Sequence, residues 1–175
     1  MPLIENAEQV EDRYQRILDD EPVPDEGAVL LSADRLLADA DRLLSRSGDT
    51  GVVWPNDRDV AELVALLSRL SLIALVFPTF KDGRAYSQAR ALRERYRFRG
   101  DLRATGDVLR DQLLFLHRAG FDAFAVKKSA DALAFCEALQ RYDVFYQPAA
   151  DGAVSALRRR LKPASRQRHA ATELA

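Results

Sequence analysis

LIALVFPTFKDGRAYSQARALRERYRFRGDLRATGD, residues 72–107, is the stretch that decides the fold of this chain. It opens with the apolar run Leu72–Phe77, in which β-branched and aromatic residues predict a strand covered on both faces. A polar loop at residues 79–84 and an amphipathic helix from Ala85 follow. A second strand at residues 102–105 then leads to another helix. The order strand, loop, helix, strand, loop, helix predicts parallel strands joined by helical crossovers.

The two loops that follow these strands are predicted to meet at one edge of the sheet, where open α/β sheets bind their ligands. Glycine lets a backbone approach a ligand closely, and arginine offers a planar fork that matches sulfate, phosphate or carboxylate oxygens. Helix starts near Ala85 and Val108 would add backbone donors. The candidate anion-binding residues at this edge are Asp82, Gly83, Arg84, Ser87, Arg103, Gly106 and Asp107.

A purely structural interpretation of the same loops is also open. Asp82 and Gly83 are typical turn residues, Asp107 is a plausible helix N-cap, and Arg84 can pair with an acid. Arg103 is predicted to lie inside its strand, and a buried arginine needs a partner. That partner is an aspartate, Asp107, Asp111 or Asp82, unless Arg103 belongs to an anion pocket.

Several arginines follow the first loop on the predicted helix and its turn. Arg90 and Arg93 are candidates for docking a partner protein, and Arg95, Arg97 and Arg99 add to the local charge. The alternative is that most of them lie on a solvated helix face. These two interpretations predict different effects of charge reversal at Arg90 and Arg93.

Composition limits the class of protein. With 175 residues and 47% hydrophobic content the chain can bury one substantial core, and a formal net charge of −1 gives no global attraction to nucleic acid or to anionic membranes. One cysteine excludes an intramolecular disulfide and the cysteine sets that hold iron–sulfur clusters or structural zinc. We expect no metal, because H-E-x-x-H and zinc spacings are lacking, and no cofactor, because G-x-G-x-x-G and Walker motifs are lacking.

The N-terminus has neither a basic start nor an apolar core, and no apolar run approaches the roughly 20 residues that span a bilayer. We therefore expect a cytoplasmic protein. Trp54, the only tryptophan, ends a short predicted strand and is either a packing residue or a stacking platform for a ligand ring.

Three segments are predicted. Residues 1–27 form an acidic arm in which Val10, Tyr14 and Ile17 are spaced as on a helix, residues 28–150 form a single α/β domain, and residues 151–175 form a basic, disordered tail. Repeated strand-helix units in the central segment predict an open, mostly parallel sheet with helices on both faces. The alternative is a partial TIM-like barrel, whose apolar inner face would need a second copy to close it; a homo-oligomer is therefore open.

One segment of the chain resembles the bacterial domain of unknown function 934. It is residues 77–124, FPTFKDGRAYSQARALRERYRFRGDLRATGDVLRDQLLFLHRAGFDAF. The resemblance is looser from residue 30 to residue 54, and it does not cover the ends. Members are often labelled oxidoreductases of sulfite reduction, a label that rests on neighbouring genes. The resemblance therefore implies a pathway, the assimilation of sulfate and sulfite, and supplies no catalytic residues.

Two functions follow as hypotheses. The first is an accessory protein that docks on a sulfite reductase or a neighbouring enzyme and binds a small oxyanion. The second is a small enzyme that acts on a sulfur oxyanion or a related anionic metabolite, with Asp82, Arg84, Arg103 and Asp107 as the working residues. Open, unpaired side chains at these four positions would favour the enzyme; mutual ion pairs would favour docking.

Overall fold

The computed structural model describes residues 2–6, 8–141, 145–149 and 154–161. Eight strands form one sheet: β1 (Leu3–Glu5), β2 (Glu8–Val10), β3 (Tyr14–Arg16), β4 (Ala28–Ser32), β5 (Thr50–Trp54), β6 (Leu72–Phe77), β7 (Asp101–Gly106) and β8 (Ala123–Ala125). The α-helices are α1 (Ala33–Ala38), α2 (Ala40–Leu43), α3 (Arg84–Arg90), α4 (Leu113–Arg118), α5 (Ser129–Arg141) and α6 (Ala156–Leu161). Val60–Arg69 and Arg110–Gln112 are 3₁₀ helices, and Ala91–Arg95 continues α3 as a π-helix.

The sheet is mostly parallel, and its strands lie in the order β2-β1-β8-β7-β6-β5-β4-β3. Strands β3 to β8 run parallel, and only β1 is antiparallel to its neighbours β2 and β8. This confirms the predicted mixed α/β class. From β3 to β8 each strand lies beside the next one in the chain, without the reversal of order that places helices on both faces of a doubly wound sheet. Of the two predicted arrangements, the structure therefore has the partial barrel, an eight-stranded half-barrel.

The short connection between β2 and β3 explains why the sheet curls. These strands form the two margins of the sheet, yet only residues 11–13 separate them in the chain. Four residue steps span at most about 14 Å. In a flat sheet, seven strand spacings of about 4.8 Å would place the margins about 34 Å apart. The margins can be joined only if the sheet bends back on itself.

The main core lies between the helices and the convex face of the sheet. Alternate residues of β6 divide between the two faces: Ile73, Leu75 and Phe77 belong to the main core, whereas Leu72 and Ala74 pack in a small cluster on the concave face. Both sets are buried. The unbroken apolar run at Leu72–Phe77 is therefore a strand covered on both faces, as the sequence predicts.

The prediction of a helix around Val10, Tyr14 and Ile17 is wrong, because this segment joins the sheet as β2 and β3. Tyr14 packs in the concave cluster and Ile17 in the main core. An odd spacing along an extended chain places two residues on opposite faces, so a spacing that suggests a helical stripe also fits a segment buried on both sides. The sheet thus begins well before residue 28.

The predicted helices are present but shorter or tighter than expected. The helix following β4 is divided at Asp39 into α1 and α2, and Ser32 caps its start, since Ser32 Oγ accepts from the Arg35 N–H at 3.2 Å. Gly120, with φ of +102°, forms a left-handed stop after α4.

At the C-terminal end, α6 forms where a disordered tail is expected, and the Ser155 hydroxyl lies 3.4 Å from the Arg158 N–H in its first turn. The rest of that predicted tail, residues 162–175, and residues 150–153 lie outside the described residues. Among the helices that are described, none is long and apolar enough to cross a membrane.

Candidate functional site

The loops that follow β6, β7 and β8 are joined at the carboxyl ends of these strands, as predicted. The Asp107 carboxylate, just after β7, accepts the Phe80 N–H at 3.0 Å through one oxygen and the Lys127 ammonium at 2.6 Å through the other. The Gln112 side chain donates to the Phe80 carbonyl at 2.9 Å. Asp107 thus ties the loop after β6 to the end of β8.

Gly106 makes this junction possible. Its φ is +96°, and a Cβ atom at this position would lie 2.4 Å from the Phe77 carbonyl oxygen. The same carbonyl accepts the Asp107 N–H at 2.8 Å. A glycine is required because the two strand ends approach too closely for any side chain.

The contacts of the Asp107 carboxylate give it a structural role. The Lys127 ammonium and the Phe80 N–H lower its pKa below the ordinary value, so it is ionised at neutral pH. It does not cap the next helix, which begins two residues later than expected, at Arg110 after Leu109. The alternative interpretation of Asp107 as an N-cap is therefore wrong.

Asp82 and Arg84 pair with each other. Arg84 donates to Asp82 from Nε at 3.0 Å and from Nη2 at 2.7 Å, and its backbone N–H donates at 3.2 Å. The guanidinium side chain is the main reason that the pKa of Asp82 lies well below its usual range. The pair remains open to solvent at the arginine, which is 58% exposed, and Nη1 makes no hydrogen bond to any described residue.

Gly83 and Ser87 flank this pair. Gly83 has an ordinary φ of −84°, and a Cβ there would meet nothing closer than a Tyr86 ring carbon at 4.0 Å. Ser87 is exposed on the first turns of α3. Among the described residues, none therefore closes the space directly above Gly83.

Arg103 does not join this group. Its side chain, 4% exposed, lies on the concave face and donates to the two oxygens of Asp12 at 2.7 and 2.9 Å. Its guanidinium carbon also lies 5.5 Å from the centre of the Tyr14 ring. The expectation of a partner among Asp107, Asp111 and Asp82 is wrong, since the partner comes from the segment between β2 and β3. No local pattern links positions 91 residues apart.

The two docking candidates differ. Arg93 is only 16% exposed; it donates to the carbonyls of Gly120 (2.9 Å), Phe98 and Gly100 (both 2.8 Å), and it pairs with Asp122. The expectation of a solvated side chain is wrong for Arg93, because its guanidinium is bound to three backbone carbonyls and one carboxylate. Arg90 is 72% exposed and forms an i,i+4 pair with Glu94. Only Arg90 remains available to a partner.

A groove lies beside Arg84, between the loop after β5 and helix α3, and Arg58 and Gln88 are the lining residues that sequence reasoning missed. Its volume is about 390 Å³, and its lining includes Asn56, Asp57, Arg58, Arg84, Ser87 and Gln88. Asn56 and Gln88 are 6% and 8% exposed. Gln88 Oε1 is buried without a hydrogen-bonding partner among the described residues, whereas the Asn56 side chain helps to lower the pKa of Asp82. The signal available in the sequence was an amide at an otherwise core-facing helix position, Gln88 beside Ala85 and Ala89.

The base of this groove is rigid. Gln88 Nε2 donates to the Pro55 carbonyl at 2.9 Å and to the Arg58 carbonyl at 2.8 Å. Arg58 bonds Asp34 and Glu62 at 2.7 and 2.6 Å and stacks 5.0 Å from the Trp54 ring. Trp54 is fully buried, which agrees with a packing residue. The groove walls are therefore held by internal hydrogen bonds and ion pairs.

The site is thus an edge of paired charges beside a preformed groove. Asp82, Arg84 and Ser87 lie at the groove or next to it, and Gly106 and Asp107 hold its neighbouring loop in place. Within the described part of the chain, no cluster of three or more His, Cys, Asp or Glu side chains is suited to a metal ion. The arrangement is suited to hydrogen bonding and charge pairing with a small polar ligand.

Comparison with known proteins identifies the chain at the level of the family. A family model described as a bacterial protein of unknown function, DUF934, matches residues 51–157, more than half of the chain. No curated protein matches. The chain belongs to this family.

Proposed function

We propose that this family member is an accessory protein of sulfate or sulfite assimilation, which acts in the cytoplasm by docking on a sulfite reductase or a neighbouring enzyme. The observation that carries the proposal is that all four charged residues of the alternative catalytic set have internal ion-pair partners. Asp82 pairs with Arg84, Arg103 with Asp12, and Asp107 with Lys127. These partners lower the pKa of Asp82 and of Asp107, which moves both carboxylates further from the near-neutral pKa that suits a general acid or base.

An exposed apolar surface supports docking. Phe115 on α4 is 68% exposed and lies between two grooves, one of about 510 Å³ against α5 and one of about 620 Å³ against α3. Arginines and glutamates line the same grooves: Arg90 and Glu94 on one side of Phe115, Arg110 and Glu137 on the other. We refer to these five residues as the Phe115 surface.

This surface has the anatomy of a transient interface, an aromatic anchor inside a polar rim. Large exposed apolar side chains are unfavourable in water unless a partner covers them. The grooves on either side of Phe115 suit side chains that project from a partner helix. The expected partner therefore presents apolar side chains flanked by groups of both charges. The sulfur pathway itself is proposed from the family resemblance.

The test is capture from a native bacterial host with the full chain as bait. We expect recovery of sulfite reductase subunits, and loss of that recovery in Phe115→Asp and in Arg90→Glu. Leu18→Asp is the matched control, because Leu18 is 57% exposed outside the Phe115 surface. Recovery that is unaffected by Phe115→Asp would contradict docking through this surface.

The alternative enzyme makes a different prediction. If the purified chain turned over sulfite or adenylyl sulfate, and Arg84→Ala abolished the turnover while no reductase was captured, the accessory role would be overturned. A second copy of the chain recovered in place of a reductase would assign the Phe115 surface to self-association.

A further inference from the structure

We propose that the turn after the π-helix, residues 96–100, binds an acidic peptide segment of a partner protein through the guanidinium groups of Arg97 and Arg99. The inference deepens the docking role by naming the chemistry of one part of the partner, and it rests on that role for the partner being a protein. The two arginines themselves lie outside the Phe115 surface.

The first argument is that these two arginines have no internal partner. Residues 90–99 contain five arginines and one acid. Three of the arginines are already engaged: Arg90 pairs with Glu94, Arg93 pairs with Asp122, and Arg95 lies 5.1 Å from the centre of the Tyr96 ring. Arg97 and Arg99 are exposed, and neither forms a hydrogen bond or an ion pair with any described residue. Their guanidinium groups are therefore open to a ligand.

The second argument is the charge of the groove that Arg97 and Arg99 line, which has a volume of about 480 Å³. Three carboxylates also line this groove, and each already has an arginine partner: Glu94 has Arg90, Asp122 has Arg93, and Asp101 has Arg13 at 3.6 Å. Among the described lining residues, the charges without a partner are therefore positive. A guanidinium fork matches the two oxygens of a carboxylate, so a segment rich in glutamate or aspartate complements this wall.

The third argument is the backbone conformation of Arg97. Its φ is +57°, in the left-handed region that disfavours a side chain. The helix ends at Tyr96, and the Phe98 N–H donates back across the helix end to the Leu92 carbonyl at 2.9 Å. Arg97 thus occupies the position just past a helix end where glycine is the usual residue. The arginine is better explained by the use of its guanidinium than by the stability of the turn.

Internal contacts hold the turn that carries both arginines. Arg93 donates to the carbonyls of Phe98 and Gly100 at 2.8 Å each, and the Phe98 side chain packs in the main core. The backbone between Arg97 and Arg99 is therefore ordered by the fold. Only two side chains remain to be ordered when a ligand binds, which limits the entropic cost of binding.

A peptide fits this site better than a nucleic acid does. Proteins hold single-stranded nucleic acid largely by stacking its bases on aromatic rings, and Phe98, the aromatic residue between the two arginines, is only 4% exposed. The groove also shares Glu94 and Ala149 with the groove of about 620 Å³ beside Phe115. A protein docked on the Phe115 surface therefore has a continuous path to Arg97 and Arg99.

The experiment measures the binding of a fluorescein-labelled hexaglutamate peptide to the full chain by fluorescence anisotropy. Low salt is used first, because salt screens exposed charges. Hexaglutamine serves as a peptide of equal length without charge, and hexauridylate serves as a nucleic acid with several negative charges. Thermal unfolding of every variant is measured alongside.

We expect saturable binding of hexaglutamate that weakens as salt is added, and no binding of hexaglutamine. Arg97→Gly and Arg99→Gln should each weaken binding about tenfold, because each removes a charge-assisted contact. Arg97→Gly should also keep or raise the unfolding temperature, since glycine adopts a φ of +57° without strain. Arg16→Gln removes an exposed arginine on β3, outside the groove, and should bind as the wild type does.

Three results would overturn the proposal. They are an absence of hexaglutamate binding, hexauridylate binding that is at least as tight, and losses in Arg97→Gly and Arg99→Gln that are no larger than the loss in Arg16→Gln. Phe115→Ala should bind hexaglutamate as the wild type does, and the peptide measurement does not depend on capture from a host. Failure of docking through the Phe115 surface and failure of this turn are therefore distinguishable.

Discussion

The carboxylate of Asp12 and the guanidinium of Arg103 form a two-pronged ion pair, with distances of 2.7 and 2.9 Å, between the segment joining the sheet margins and the middle of β7. Asp12 also accepts the Tyr14 N–H at 3.0 Å, and the Arg103 guanidinium faces the Tyr14 ring. The concave face is therefore occupied near one end by the chain's own N-terminal segment. Through this ion pair, Arg103 stabilises the half-barrel.

Removing one side of this pair should destabilise the fold. Asp12→Ala leaves the 4% exposed Arg103 without its counter-charge, and we expect a loss of about 2–3 kcal/mol, below the 3–5 kcal/mol of a fully buried pair because Asp12 is 40% exposed. Urea denaturation measures the change. The double variant Asp12→Ala/Arg103→Met should recover part of the loss. Additive losses would contradict a direct pair.

Substitution by alanine should change the stability of the fold differently at two glycines of the candidate site. Gly106→Ala should destabilise by more than about 1 kcal/mol, since its φ of +96° disfavours a side chain and the new Cβ would lie 2.4 Å from the Phe77 oxygen. Gly83→Ala should be neutral or slightly stabilising, because its φ is −84° and the space is open. Thermal unfolding of the two variants checks both. Equal losses would show that the loop at Gly83 is also tightly constrained.

Neighbouring arginines of the α3 segment should differ in their effect on stability. Arg93→Ala removes three hydrogen bonds to turn carbonyls and a pair with Asp122, so we expect a loss of about 2–4 kcal/mol. Arg90→Ala removes one exposed pair and should change stability by less than about 0.5 kcal/mol. Denaturant midpoints measure the difference. A similar midpoint for both variants would mean that Arg93 is not anchored as described.

The junction at Asp107 should weaken in acid. Lys127 and the Phe80 N–H hold the pKa of Asp107 below its ordinary value, so its stabilising contribution is complete above an unfolded pKa of about 3.9 and is lost as pH falls through the folded pKa. The amide chemical shift of Phe80 should therefore titrate below about pH 4. Asp107→Asn should abolish that titration, and Asp20→Asn should leave it unchanged. A titration that survives in Asp107→Asn would assign it to another carboxylate.

The sequence predicted the elements that have strong local signals. The apolar run of β6 depends on neighbours within a few residues, and the strand that it predicts is confirmed. The cap at Ser32 and the glycine stop at Gly120 depend on local sequence in the same way. The joining of Asp107 to the preceding loop also followed from local order, because consecutive parallel strands place their ends together.

Contacts between residues far apart in the chain could not be predicted from local sequence in the same way. The choice between an open sheet and a half-barrel depends on where the first strands pair, and the apolar positions of β3 suggested a helix. The partner of Arg103 depends on the same pairing. Asn56 and Gln88 gave a weak signal, since a buried amide in an apolar helical stripe is visible only when its neighbours in space are known.

Residues 11–13 are the direct covalent link between the two margins of the half-barrel. Cleavage there would leave β2 held by its pairing with β1 and β3 by its pairing with β4. The family match begins only at residue 51, inside β5. A fragment trimmed to that match would lose β1 to β4, and with them half of the strands that shield the core from water.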